Sequence, residues 1–334
     1  MPAPLQLVFL GSDPIALPLL DWLAGEGATV ARVTAVITQP DRPAGRGQRT
    51  EAGPIKRWAE GRGLPVRQPD RVTPEEVAWL AAQRADVALV LAYGHILGSS
   101  FISAPRLGTL NLHASLLPKY RGASPVQTAV ACGERETGMT LMQIVKELDA
   151  GPVADRERVA IDPLDTASEV EAKLAAAGAP LLARTLPRLA RGELVFREQD
   201  HAGATYCRRL VKEDGRLDFA GPAAALAARI NGLHPWPGCA VEIGGVAVKL
   251  GLADVAADSG GPGGGPAPAG TVIGSDRDGL LVSTGAGVLR LRRLQRPGGR
   301  MLPAADFLRG FPVPRGGRLA SQPMAPLVDT RPVR

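Results

Sequence analysis

Between residues 5 and 150, short runs of apolar residues alternate with stretches whose apolar side chains recur every three or four positions. Leu5–Leu10, Thr34–Thr38, Val87–Ala92 and Thr109–Leu112 are nearly continuous in apolar character, as strands buried on both faces must be. Ile15–Ala24, Pro54–Gly61 and Pro74–Arg84 carry helical spacing instead, several of them opened by Pro or Asp and closed by Gly. This alternation predicts an α/β fold with a doubly wound, mostly parallel, Rossmann-like sheet. In such a sheet, ligands bind at the carboxyl ends of the strands, near the point where the strand order reverses.

The pattern changes further along. Thr166–Ala190 has helical spacing interrupted by Pro180 and Pro187, which leaves one bent helix or two short ones. After Arg191 come short β-like pieces, Ala240–Ile243, Val246–Leu250, Gly279–Val282 and Val288–Leu294, separated by glycine-rich turns. They predict a small β-barrel-like (OB-like) second domain. The expected organisation is a first domain over 1–190, a linker over 191–209, the barrel over 210–319 and a tail, 320–334, without structure of its own. Residues 258–270, DSGGPGGGPAPAG, read as a flexible loop inside the barrel.

Composition narrows the class. A chain of 334 residues with 45% hydrophobic content can bury a substantial core, which excludes a disordered protein. Three scattered cysteines argue against a disulfide framework or a zinc knuckle, and the four histidines are too dispersed to suggest a ligand set. No apolar run reaches the roughly 18 residues of a membrane span, so a soluble, cytoplasmic protein is expected. The net charge of +6 is uneven. From Thr205 onward there are 17 Lys and Arg against 10 Asp and Glu, whereas the preceding residues hold 22 against 23. A basic appendage on a neutral domain fits either a polyanionic partner or a solubilising surface.

The chain holds no GxGxxG, GxxxxGK[ST] or GxSxG motif, which removes the main warrants for a dinucleotide, a nucleoside triphosphate or a hydrolase elbow. The informative stretch is Leu110–Pro152. Asn111 and His113 stand two apart in an apparent strand, so both side chains project from one face, where an amide and an imidazole can meet a developing oxyanion. SLLPKYRG follows at 115–122, a loop marked by Pro118 and Gly122, and LDAG at 148–151 supplies Asp149. A carboxylate beside a histidine can orient it, hold its charge or receive a proton. Singly, each residue also has an ordinary structural reading: a strand histidine, a capping asparagine, an Asp-Ala-Gly turn.

Together, Asn111, His113, SLLPKYRG and Asp149 closely resemble the signature of the folate-dependent formyltransferase family. The resemblance implies a formyltransferase-type catalytic domain, 10-formyltetrahydrofolate as co-substrate, no metal, and Asn111, His113 and Asp149 as the catalytic trio. It places the pterin slot at Leu91, Ala92, Tyr93, Gly94, Ile96 and Leu97, with Ser115, Leu116, Leu117 and Pro118. The segment ITQPDRPAGRGQRTEAGPIK, 37–56, is similar to the loop of the branch that formylates methionyl-tRNA, as are KEDGRLDF, 212–219, and NGLHPWPG, 231–238, to elements of that branch's tRNA-binding barrel.

That likeness implies a monomeric enzyme that formylates the α-amino group of methionine on initiator tRNA for translation initiation. Arg42, Arg46, Arg49, Lys56, Arg290, Arg292 and Arg293 are its expected tRNA contacts. The helix after the first strand opens Asp13-Pro14-Ile15, where the family more often has an aromatic at the third place. Two alternatives stay open: formyl transfer to a small amine such as a nucleotide sugar, and a non-catalytic RNA-binding protein on the same fold.

Overall fold

Strands that are apolar on both faces need cover on both faces, and the computed structural model provides it. It describes residues 3–44, 49–256 and 267–332; Arg46 and most of the glycine-rich loop lie outside the described residues. From the amino end the elements are β1 (Leu5–Leu10), α1 (Leu17–Ala24), β2 (Ala31–Ile37), β3 (Arg42–Ala44), β4 (Arg49–Glu51), α2 (Pro54–Glu60), β5 (Val66–Arg67), α3 (Pro74–Ala82) and β6 (Val87–Val90). Then follow α4 (Ser99–Ile102), β7 (Thr109–His113), β8 (Arg121–Gly122), α5 (Pro125–Ala131), β9 (Glu136–Gln143), β10 (Val153–Ala160) and α6 (Ala167–Ala190).

The main sheet has the order β10-β9-β7-β6-β1-β2-β5. β1 pairs in parallel with β2 and β6, β2 with β5, and β6 with β7, while β9 runs antiparallel to β7. This is the doubly wound, mostly parallel sheet that the apolar runs predict. The chain leaves β1 towards β2 on one side and takes up β6 on the other, so the reversal lies between β1 and β6. In register, Leu10 stands beside Ile37 and Val90, and Val90 beside Asn111, which lines up the carboxyl ends of four strands along one edge.

Two sequence-level questions are resolved. The Thr166–Ala190 stretch holds one 24-residue helix, α6 (Ala167–Ala190), in spite of Pro180 and Pro187. Its start carries a Thr-x-x-Glu box in which Thr166 N–H donates to Glu169 Oε2 at 2.9 Å. Within the expected loop over 37–56, β3 pairs antiparallel with β4, with Arg42 opposite Glu51.

The chain divides into two compact units. One comprises 1–123, 138–159 and 171–205; the other comprises 124–137, 160–170 and 206–334. Residues 191–205, read from sequence as linker, thus fold with the first unit, and α5 folds with the second.

The second unit continues with β11 (Tyr206–Cys207), α7 (Ala223–Gly232), β12 (Cys239–Ile243), β13 (Val246–Ala256), β14 (Val272–Ser275), β15 (Leu280–Ser283), β16 (Val288–Gln295), β17 (Leu302–Pro303), α8 (Ala304–Gly310) and β18 (Val328–Asp329). Its antiparallel sheet, ordered β12-β13-β16-β15-β14 with β17 on β16, is the barrel-like element expected after Arg191. Alternating strands such as Cys239–Ile243 place Cys239, Val241 and Ile243 in the core. β13 is longer than its apolar run suggests and shifts register twice between Leu250 and Ala253. Bulges of this kind bend and twist a strand, which lets a small sheet curl. Asn231 at the end of α7 fills the gap, since its amide donates to Ala253 O at 2.9 Å and its Oδ1 accepts from Ala253 N–H at 2.8 Å.

The tail differs from expectation. Gln322 N–H donates to Leu217 O, Phe219 N–H to Ser321 Oγ, and β18 pairs antiparallel with β11. Leu327 is buried, so the tail has an apolar anchor as well as backbone bonds, enough to order the chain.

Gly232, in the NGLHPWPG segment, ends α7 where it crosses α5. A Cβ there would stand 2.2 Å from Ala131 N, which is backbone and cannot swing aside. Gly232→Ala is expected to destabilise the second unit by about 1–3 kcal/mol or more, the range for overpacking a filled core, as read by chemical denaturation.

Candidate active site

β7 is buried along its whole length, and its period of two sends Asn111 and His113 to the same face. They are 9% and 6% exposed. A buried imidazole needs partners for its nitrogens. His113 Nε2 lies 2.9 Å from the Tyr120 carbonyl oxygen, which can only accept, so Nε2 carries a proton. Nδ1 is left for other work, and it faces Asp149 Oδ2 at 3.7 Å, too far for a direct hydrogen bond and within ion-pairing distance.

Asp149 reaches this position indirectly. The β7–β9 register puts Gln143 beside Leu110, at the opposite end of β7 from His113. The 144–152 turn must therefore fold back along the sheet. It does so with Asp149 in the left-handed region, φ 47°, at a cost of order 1–3 kcal/mol for a residue with a side chain. The carboxylate recovers part of that cost because Oδ2 accepts from Gly122 N–H at 2.8 Å, a charge-assisted bond. Asp149 thus comes to lie beside His113, while Asn111 shares a face of β7 with that histidine.

The 91–97 segment leaves the end of β6 and is sewn to the neighbouring strand ends. Leu91 N–H donates to Leu10 O, Ser12 N–H to Ala92 O, and Gln39 Nε2 to Tyr93 O at 2.8 Å. Ala92 and Gly94 have φ of 51° and 79°, a conformation that turns main-chain groups away from regular pairing. Leu91 and Tyr93 are buried and Leu97 packs on the same core as Tyr93, while Ile96 is 95% exposed. Burial, with the Glu76 carboxylate nearby, pushes the Tyr93 phenol up to about 12. The segment is therefore fixed to the strand ends by its backbone and presents one bare aliphatic side chain, Ile96.

The SLLPKYRG residues divide differently. Ser115 Oγ donates to Lys119 O, Thr140 Oγ1 to Ser115 O, and Leu117 packs against Met142 and Val153. Ser115 and Leu117 are spent on holding the loop, whereas Leu116 and Pro118 are partly exposed.

The basic residues expected to meet tRNA also divide. Arg290 is clasped by Asp254 at 2.8 and 2.7 Å and meets Asp276 at 3.1 Å, which pushes its guanidinium pKa up. Arg292 shares Asp254 and approaches Asp278. Arg293, one position on, faces outward and is exposed. Lys56 is ion-paired with Asp41 at 2.5 Å; Arg42 is exposed. The side chain of Arg49 lies outside the described residues. No set of three His, Cys, Asp or Glu among the described residues is arranged to hold a metal, and no described helix is long and apolar enough to cross a membrane.

Sequence reading missed Gln39 and Gln199. Gln39 ties β2 to the 91–97 segment, and Gln199 Nε2 donates to Asp149 O and Gly151 O. Neither sits in a recognisable spacing, because each acts on backbone far along the chain. The Asp149 turn is equally fixed at Gly151, where a Cβ would lie 1.9 Å from Gln143 O. Gly151→Ala must move backbone, so its activity is expected to fall about 100-fold or more, since sub-ångström misplacement of a reacting group is costly. Comparing kcat with thermal stability measures this: an unchanged kcat would detach the turn from the chemistry.

Comparisons with known proteins bear on the family. The family described as "Formyl transferase" matches residues 5–186, and "Formyl transferase, C-terminal domain" matches 209–312. The methionyl-tRNA formyltransferase of Aromatoleum aromaticum is 41% identical over 317 residues, covering 95% of this chain and 97% of the relative. That of Sorangium cellulosum is 44% identical over 309 residues, covering 92% and 96%. Among solved structures, an N-formyltransferase from Helicobacter canadensis in complex with folinic acid and dTDP-3-aminofucose superposes with a TM-score of 0.63 at 18% identity, covering 87% of this chain and 99% of that one. HypX from Aquifex aeolicus in complex with tetrahydrofolic acid gives 0.60 at 15%, covering 92% and 47%. At those identities the superpositions speak for the fold alone, but the two matching domains and the high-coverage relatives establish that the chain belongs to the formyl transferase family.

Proposed function

We propose that this protein transfers the formyl group of 10-formyltetrahydrofolate to the α-amino group of methionine on initiator tRNA, forming N-formylmethionyl-tRNA for translation initiation. The observation that carries the site assignment is the approach of Asp149 to His113, 3.7 Å apart, with Asn111 on the same face of β7 at the carboxyl edge of the parallel strands. The relatives bearing the methionyl-tRNA formyltransferase name over nearly the whole chain support the choice of acceptor. We read the protein as a cytoplasmic monomer, working where both substrates are found, with the second unit as its tRNA-binding part.

The reaction joins the amine nitrogen to the formyl carbon. The carbonyl oxygen becomes an oxyanion, and its collapse breaks the bond to the folate nitrogen, which takes up a proton as the amine loses one. Asn111 has an amide donor for the oxyanion, an interaction worth about 10²–10³-fold. Tyr120 occupies His113 Nε2, so chemistry at this ring is confined to Nδ1. Nδ1 accepts the amine proton and returns it to the leaving nitrogen, and Asp149 stabilises the ring while it is charged. Removing such a partner costs roughly 10²–10⁴-fold. Backbone groups of Leu91–Leu97, with Leu116 and Pro118, line the pterin slot. Arg42 and Arg293 contact tRNA phosphates, whereas Arg290 and Arg292, already paired with aspartates, serve as scaffold.

The direct test incubates the protein with 10-formyltetrahydrofolate and methionine carried on initiator tRNA, on elongator tRNA, or free. Formylmethionine should appear with the initiator species, and formylation of a nucleotide sugar alone would favour the small-amine reading. In the same assay, Asp149→Asn is expected to lose turnover about 10²–10⁴-fold while folate affinity stays within a few-fold. Normal turnover in that variant removes Asp149 from the mechanism.

Affinity for initiator tRNA should fall linearly on a log–log plot against salt, and Arg42→Ala and Arg293→Ala should each reduce the slope by about 1. Arg290→Ala should leave the slope unchanged and lower stability instead. A flat salt response would sink the phosphate-contact assignment.

A further inference from the structure

Behind the Asp149 turn lies a buried polar network that the mechanism above does not use. Arg121 is 2% exposed and Gln199 5%. Both donors of the Gln199 amide go to main chain, Nε2 reaching Asp149 O and Gly151 O at 2.8 Å each. Its Oε1 accepts from Arg121 Nη2 at 2.7 Å and Nε at 3.2 Å, and Arg121 Nη2 also meets His201 Nδ1 at 3.1 Å. Gly122, the next residue, donates its N–H to Asp149 Oδ2. The Arg121-Gly122 pair therefore grips the aspartate at both ends, on the carboxylate directly and on the carbonyl through Gln199.

We propose that Gln199, braced by Arg121, is a positioning residue for Asp149, a role that rests on the catalytic assignment of Asp149 made above. Asp149 holds a left-handed backbone, φ 47°, a region that aspartate enters more readily than most residues but that still favours glycine. Without a donor on its carbonyl, the peptide after Asp149 keeps only the 3.3 Å bond from Ala150 N–H to Glu147 O, and the carboxylate gains freedom to move relative to His113 Nδ1. The 3.7 Å separation between them leaves no direct bond to restore the alignment. Gln199 is 50 residues away along the chain, so it reports the fold of the 191–205 segment to the reacting groups. A glutamine suits this place because it alone among side chains of that length both donates twice to carbonyls and accepts from a guanidinium.

The test is Gln199→Glu, which keeps side-chain length and the Arg121 partner but, when ionised, has no donors for the two carbonyls. Expected is a fall in kcat of about 10-fold or more, with folate dissociation constant and tRNA KM within about two-fold of the parent, and an altered pH profile of kcat. In an Asp149→Asn background, read under single-turnover conditions, Gln199→Glu should cost nothing further, since both changes remove the same alignment.

Should Gln199→Glu fail to fold by thermal unfolding, Gln199→Asn, an amide one methylene too short, is measured by the same criteria. Parent-like kcat in the Gln199 variant beside a crippled Asp149→Asn overturns the positioning role and leaves the catalytic reading intact. A loss that adds in full to that of Asp149→Asn also overturns it. Normal turnover in Asp149→Asn defeats the underlying reading instead.

Discussion

The hydrogen bond from His113 Nε2 to the Tyr120 carbonyl, 2.9 Å long and buried, is the constraint on which the site depends. A carbonyl cannot donate, so the bond selects one protonation of that nitrogen and turns the other towards Asp149. It also requires the 115–122 loop to return beside the strand it left. That return is secured by Ser115 Oγ on Lys119 O, by Thr140 Oγ1 on Ser115 O, and by Tyr120 N–H on Thr205 Oγ1. Much of the family motif is thus concerned with bringing one carbonyl to one ring nitrogen.

A buried strand bearing an amide and an imidazole would be costly without such provision, because an unmet polar group in a core loses about 1–3 kcal/mol. The first unit resolves the conflict by layering. The centre of the sheet is filled with Leu7, Phe9, Leu89 and Leu110, and the imidazole at the end of β7 finds its partner in the loop that follows. The parallel arrangement collects the strand ends at one edge, so the same geometry that keeps the core dry also concentrates the chemistry.

The second unit handles charge in a similar way. Arg290 and Arg292 lie on one face of β16 and Asp254 stands directly opposite Arg290 on β13, so two guanidiniums share a carboxylate before any partner arrives. Arg293, at the register shift, keeps its charge outward. Net basicity therefore overstates what is available to a polyanion. The β13 bulge, closed by Asn231, shows the complementary device: a side-chain amide takes the place of a strand where curvature interrupts the ladder.

The sequence by itself determined the apolar strands, the parallel sheet, the barrel-like second part and the pairing of Asn111 with His113, because these follow from local periodicity and from a compact motif. It also carried the family likeness. Only the tertiary structure decided that Asp149 folds back to His113, that Gln39 and Gln199 hold the loops, that Arg290 and Arg292 are neutralised, and that the tail from Ala320 pairs with β11. Each of these is a polar contact between residues far apart along the chain. A hydrophobic pattern repeats every two or 3.6 residues and is legible in any short window, whereas a single hydrogen bond across 50 residues leaves no period to read.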